Sequence, residues 1–274
     1  MNKPLAPTGL NQDEPLLWET GSPGRTGFSM PRRDVEPFPL DDGIAGEGPD
    51  FPDLNEMGVV RHYTRLSQWN FGVDTGMYPL GSCTMKYNPK INEKCSQLAG
   101  LAGLHPMLPA GMTQGALRLM AELERFLAEI TGMDAVSLQP AAGAQGELAG
   151  MLLIHAYLKS RNVTRNKIII PDTAHGTNPA SAALCGYRPV RIKSGDEGIL
   201  TPEAVQAVMD EDTVGIMITN PNTLGLFEAH IKAIADIVHA GGGQVYCDGA
   251  NMNAIMGMVH MGNSGVDVLH LNLH

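Results

Sequence analysis

Positive charge is scarce in this sequence: 19 Lys and Arg stand against 29 Asp and Glu in 274 residues, a net charge of −10. A protein that neutralises a nucleic-acid backbone gathers Lys and Arg on one face, and no such run is visible, so nucleic acid is not an expected partner. Long apolar runs are missing too. The longest, such as residues 168–171, are far too short to cross a bilayer. The opening MNKPLAPTGLNQDEP carries no apolar stretch of the secretory kind. Cysteine is limited to Cys83, Cys95, Cys185 and Cys247, with no C-x-x-C pair, which removes the usual signals of a zinc knuckle or a redox centre. His270 and His274 would share a face only on a helix. Flanked by Val268, Leu269, Leu271 and Leu273, they read as part of a strand, so no metal site is expected. What is present is 43% hydrophobic and 18% charged residues, the balance of a folded chain with a sizeable core. The expectation is a soluble cytoplasmic protein.

Residues 1–58 are rich in Pro, Gly and Asp, keep neither a period of 2 nor one of 3.6, and break every candidate helix with proline. Such a segment cannot build its own core, and its scattered Trp18, Phe28, Phe38 and Phe51 favour an extended arm that wraps a protein surface. Residues 59–111 follow, with a short helix at 59–70 and a loop, TGMYPLGSCTMKYNP, dense in polar side chains. The clearest helix is 112–132, where Leu117, Met120, Leu123, Leu127 and Ile130 recur at helical spacing, Thr113 is placed to cap it and Gly132 to stop it.

From there the chain alternates. Strands are predicted at 135–138, 167–171, 188–193, 214–219, 244–247 and 266–271, with helices at 145–160, 178–186, 201–210 and 229–240 between them. Alternation of this kind implies an α/β domain over 112–274, a mainly parallel sheet with helices on both faces. In such sheets ligands bind beyond the carboxyl ends of the strands.

Four segments stand at those ends. QPAAGAQGE opens a helix with small residues, so Gly143, Ala144 and Gln145 could offer free amides to a phosphate or form an ordinary strand–helix turn. It is neither a Walker loop nor the G-x-G-x-x-G dinucleotide fingerprint. DTAHGTNPAS puts His175 at the sheet mouth, either solvated or functional. TNPNTLG brings Asn220 and Asn222, as amide ligands or as a turn. CDGAN ends an apolar strand with Asp248, a carboxylate that is costly there unless a cation pairs with it. A protonated ring nitrogen is such a partner. A phosphate at the first helix, a ring under His175 and a ring nitrogen at Asp248 together fit pyridoxal phosphate.

YPLGSCTMKYNP, QPAAGAQGE, DTAHGTNPASA, TNPNTLGLFE and YCDGANMNA, in this order, resemble the glycine cleavage system P-proteins, in particular the second (β) subunit of the two-subunit bacterial form, glycine dehydrogenase (decarboxylating). The resemblance implies the large domain of a fold-type I, aspartate aminotransferase-like enzyme that uses pyridoxal 5'-phosphate. It implies decarboxylation of glycine, with the aminomethyl group passed to the lipoyl arm of the H-protein. Subunit 1 is the implied partner, in an α2β2 assembly. Carried over by position, Gly143, Ala144 and Gln145 lie at the cofactor phosphate, His175 stacks on the ring, Asp248 binds its nitrogen, Asn222 stands near its hydroxyl and His274 contacts the phosphate region. Ser82, Cys83, Thr84 and Lys86 border the substrate pocket.

The family pattern also puts the Schiff-base lysine directly after the histidine that ends HLNLH. The last lysine here is Lys232 and the chain stops at His274, so these residues alone are expected to be inactive, with the small C-terminal domain absent. Other readings are another fold-type I enzyme, such as a cysteine desulfurase or an aminotransferase, or a subunit that only scaffolds a partner.

Overall fold

The structure, a computed structural model, describes residues 13–27, 29–38, 41, 43–44, 46–70, 72–76 and 87–273. The chain divides into two compact units, Met1–Tyr78 and Pro79–His274. Polar bonds order the described part of the first unit. Its helices are α1 (Leu17–Thr20) and α2 (Glu56–Ser67), and Glu14 from the arm grips α2. Arg65 donates to Glu14 through Nε and Nη2 at 2.5 and 2.6 Å, and His62 Nδ1 lies 2.9 Å from the same carboxylate. Trp18 Nε1 donates to Asp50 O, and the amides of Ser22 and Gly24 donate to Asp53. The described residues of this aperiodic segment are thus tied by polar bonds, while Phe38 and Phe51 remain exposed.

The Arg65 guanidinium bonded to Glu14 holds that carboxyl at about 2, below its ordinary 4.5. A carboxyl lowered on folding contributes stability above its unfolded value and loses it as pH falls through the folded one. The grip on α2 is therefore expected to be complete above about pH 4.5 and released towards about pH 2. Trp18 fluorescence in a Trp69→Phe background reads the release, and Glu14→Gln should remove that acid step.

The second unit holds α3 (Lys90–Ser96), α4 (Ala99–Ala102), α5 (Gln114–Thr131), α6 (Gly143–Ser160), α7 (Thr177–Leu184), α8 (Pro202–Gln206) and α9 (Ile231–Ala240). Its strands are β1 (Lys167–Pro171), β2 (Arg188–Ile192), β3 (Thr213–Thr219), β4 (Gln244–Gly249) and β5 (Val268–Leu271). They form one sheet in the order β2-β1-β3-β4-β5, parallel throughout. The strand expected at 135–138 is not formed: those residues pair with no neighbour among the described residues and lie partly exposed. Thr113 precedes α5 without capping it, since its hydroxyl donates to Ala110 O instead. Gly132, left-handed at φ 69°, ends that helix as expected. Thr201 does cap α8, accepting from the Ala204 amide at 3.3 Å.

Both sheet faces are covered, which is why β1 and β3 read as continuous apolar runs. On one face Met151, Ile154 and Leu158 of α6 pack with Ala182 of α7 on Ile168, Ile170, Met217 and Tyr246. On the other, Val205 of α8 and Ile231, Ile234 and Val238 of α9 pack on Ile169, Ile216, Ile218 and Val245. At the amino end of β1, buried Lys167 is held by Val208 O and Asp210, each 2.5 Å from Nζ. No helix of the described residues is long and apolar enough to cross a membrane.

Candidate active site

The alternation of a strand sends Tyr246 and Asp248 of β4 towards α6 and α7, and Val245 and Cys247 towards α9. Asp248 stands at the carboxyl end of β4 and is only 3% exposed. Its Oδ2 accepts from Asn178 Nδ2 of α7 at 3.0 Å and its Oδ1 from the Ala250 amide at 3.0 Å. The β4–β5 register pairs Asp248 with His270, whose Nε2 lies 3.3 Å from Oδ1.

His270 is oriented from behind. Tyr246 Oη lies 2.5 Å from its Nδ1, and burial, followed by the Asp248 charge, pushes the Tyr246 phenol well above its ordinary range. The phenol therefore keeps its proton and donates it to Nδ1. Burial also lowers the His270 imidazole below its ordinary 6.5, so the neutral ring carries its one hydrogen on Nε2, facing Asp248. Asp248 thus accepts two hydrogen bonds and has His270 Nε2 within ion-pair distance.

Glu147 of α6 enters the same space. It is 4% exposed, and one of its oxygens, one of Asp248 and a ring nitrogen of His270 lie within 4.8 Å of one another. Burial, then the neighbouring Asp248 charge, raises the Glu147 carboxyl against the opposing bond from Thr177. Thr177 Oγ1 lies 2.6 Å from Glu147 Oε1 and 2.7 Å from Nδ1 of His175. The exposed His175, just beyond β1, is thereby connected to the buried carboxylates.

Gly143, Ala144 and Gln145 form the first turn of α6, and no side chain caps it. Gln145 instead turns its Oε1 back to accept from the Ala141 amide at 2.8 Å. Gly143 is 3.6 Å from the Asn272 side chain, measured from the position a Cβ would take, so this turn sits beside the end of β5. Asn222 is occupied elsewhere. Its Nδ2 donates to Gly198 O and to Glu228 Oε1, both at 2.9 Å, and its Oδ1 accepts from the amides of Leu224 and Leu226. All four hydrogen-bonding positions of the amide are filled within its own surroundings, leaving none for a ring hydroxyl. Ser82, Cys83, Thr84, Lys86 and His274 lie outside the described residues.

Residues 145–274 match the model of the family Aminotransferase class-V. The chain is 52% identical over 271 residues to the probable glycine dehydrogenase (decarboxylating) subunit 2 of Halalkalibacterium halodurans. It is 54% identical over 271 residues to that of Caldanaerobacter subterraneus subsp. tengcongensis. Each alignment covers 97% of this chain and 56% of the relative. The chain is similar to these subunits over that length. It spans just over half of their length.

Among solved structures, glycine decarboxylase (P-protein) of the glycine cleavage system, in inhibitor-bound form, superposes with a TM-score of 0.66 at 19% identity, over 85% of this chain and 52% of that one. Oryza sativa TDC with PLP and tryptamine gives 0.57 at 14% identity, over 87% and 57%. These likenesses show the fold, that of the fold-type I enzymes.

Five residues of the candidate site escape a reading of the sequence alone: Glu147, Thr177, Asn178, Tyr246 and His270. Helical spacing holds one usable signal, since Gly143, Gly146, Glu147 and Gly150 share a face of α6. That face is nearly bare, and the helix comes close to the sheet there. A Cβ on Gly150 would stand 2.6 Å from the Tyr246 ring, and one on Gly146 would stand 3.2 Å from His270 Cβ. A lone glutamate on a glycine face marks a carboxylate pressed against a strand.

Proposed function

We propose that the chain is the cofactor-binding part of the second subunit of a two-subunit glycine decarboxylase dependent on pyridoxal phosphate. Asp248 carries the reading. It is a buried carboxylate at a strand's carboxyl end, backed by donors on its far side, in a chain more than half identical to glycine dehydrogenase subunits. The residues fit the group. Oδ2 of Asp248 has a single donor among the described residues, leaving room for a ring N–H. Two buried atoms beside it, Asn178 Oδ1 and Thr219 Oγ1, have no hydrogen-bond partner among those residues, and Thr219 is the register partner of Asp248 on β3. The uncapped first turn of α6 suits a phosphate.

Bound there, pyridoxal phosphate supplies the electron sink that lets the bond to the carboxylate of glycine break. Asp248 holds a proton on the ring nitrogen, and the pair formed by Tyr246 and His270 keeps Asp248 aimed. Amides of Gly143, Ala144 and Gln145 bind the phosphate. His175 covers the ring, while Ser82, Cys83, Thr84, Lys86 and His274 keep the places the resemblance implies. The partners are subunit 1, in an α2β2 assembly, and the lipoylated H-protein, which takes the aminomethyl group in the cytoplasm.

The test uses the complete subunit paired with subunit 1 and follows label from bicarbonate into the carboxyl group of glycine. Exchange is expected only with pyridoxal phosphate present, and it should rise when lipoylated H-protein is added. Turnover of cysteine or alanine in place of glycine, or exchange that needs no pyridoxal phosphate, overturns the reading.

A further inference from the structure

Thr177 has one hydroxyl proton and two close partners, Glu147 Oε1 at 2.6 Å and His175 Nδ1 at 2.7 Å. One of the two must therefore bring a proton of its own. The Thr177 backbone decides which, because its N–H also points at His175 Nδ1, 3.3 Å away. A ring nitrogen that receives that N–H is an acceptor. It cannot at the same time be the N–H that donates to Oγ1. The Thr177 hydroxyl then donates to His175, and the proton between Thr177 and Glu147 belongs to Glu147. We propose that Glu147 is a neutral carboxylic acid which, through Thr177, fixes His175 as the tautomer with its hydrogen on Nε2.

Two further observations agree. Glu147 Oε2 is buried with no partner among the described residues, tolerable for the carbonyl oxygen of an acid and costly for half of an anion. Two carboxyl groups this close also settle on one charge between them. Asp248 has Asn178, the Ala250 amide and His270 around it, whereas Glu147 has the Thr177 hydroxyl, whose own proton is committed to His175. The negative charge belongs on Asp248 and the proton on Glu147. The ionisable groups facing Glu147 from the neighbouring elements are Asp248 and Tyr246 on β4, His270 on β5 and His175 ahead of α7.

The consequence is directional. Nδ1 of His175 is tied inward, so its Nε2–H is presented to whatever lies at the sheet mouth. Glu147 and Thr177 are positioning residues acting through His175. The value of this tautomer in catalysis rests on the pyridoxal phosphate reading, but the protonation pattern does not, and its test needs no cofactor.

Long-range proton–nitrogen correlation spectra of the protein labelled with 15N-histidine give the state of each ring nitrogen, with His175 assigned by its loss in His175→Gln. An unprotonated Nδ1 and a protonated Nε2 are expected, and the opposite pattern overturns the proposal. Infrared difference spectra of Glu147→Gln against the wild type, at neutral pH, should show the loss of one carboxylic-acid carbonyl band that shifts in heavy water. Loss of a carboxylate band instead also overturns it. Because the amide introduced by Glu147→Gln can still donate to Thr177, that variant should keep the His175 pattern. Thr177→Val removes the hydroxyl but keeps the backbone N–H, so Nδ1 should stay unprotonated with its resonance displaced, and a protonated Nδ1 in that variant also overturns the proposal.

Discussion

Asp248→Asn in the complete, partnered subunit should lower glycine turnover on the order of 10³-fold, about 4 kcal/mol of barrier, while leaving the fold nearly intact. Chemistry and structure come apart here because of Asn178. As it stands, Asn178 donates to Asp248 through Nδ2, and its Oδ1 is buried without a partner among the described residues. An amide at position 248 can turn its NH2 towards Asn178. Rotation of the Asn178 amide then brings the idle Oδ1 round to accept, and the Ala250 amide and His270 keep the remaining oxygen. The denaturation midpoint is expected to move by less than about 1 kcal/mol. What the substitution removes is the negative charge, and a neutral amide cannot hold a proton on a ring nitrogen. Asp248→Ala is the harsher variant. It strands both Asn178 and His270, adding about 1–3 kcal/mol of instability for each buried group left unpaired. Bicarbonate exchange and urea denaturation, measured on the same Asp248→Asn preparation, separate the two effects. Undiminished exchange in that variant removes Asp248 from the chemistry.

The parts of this molecule legible in its sequence are those fixed by local physics. β1 forms at its predicted bounds, because a β-branched run between polar ends leaves little choice. The residues carried at the strand ends, Asp248 above all, follow from the rule for parallel sheets. Two local signals mislead. Ala135, Val136, Ser137 and Leu138 have the pattern of a strand, but a strand exists only with a neighbour to bond, and among the described residues these have none. Asn222 looks like a free amide in a turn. Only the folded loop reveals that buried Glu228 draws the chain round so that Asn222 is saturated. The carboxylates and histidines are out of reach for a different reason. Glu147 meets Asp248 and His270 only through the register of β4 on β5 and the close seating of α6, both tertiary facts.

The other large effect is expected at Gly215, which has no part in the chemistry. Between Lys167 and Ile168 the pairing of β1 with β3 slips by one residue, from Thr213 to Gly215, so Val214 is the extra residue of a bulge. Strict alternation would send Val214, Ile216 and Ile218 to one face. The bulge breaks the phase, and Val214 joins Met217 on the α6 and α7 side, while Ile216 and Ile218 face α9. The same phase puts Thr219 beside Asp248. At the bulge β3 crowds β4: a Cβ on Gly215 would stand 1.9 Å from the carbonyl oxygen of Gln244 and 2.9 Å from its carbon and nitrogen. Backbone on a central strand cannot swing aside as a flexible side chain can. Gly215→Ala must either part β3 from β4 or undo the bulge and turn apolar side chains to the wrong core. A loss of about 4 kcal/mol or more is expected, enough to unfold a protein of ordinary stability. Gly115→Ala is the control, since a Cβ there meets nothing within 4 Å and alanine favours the α5 helix. Urea denaturation should find that variant unchanged or slightly more stable, with Gly215→Ala insoluble or far weaker. Equal midpoints for the two would mean that β3 and β4 yield where the close approach of their backbones says they cannot.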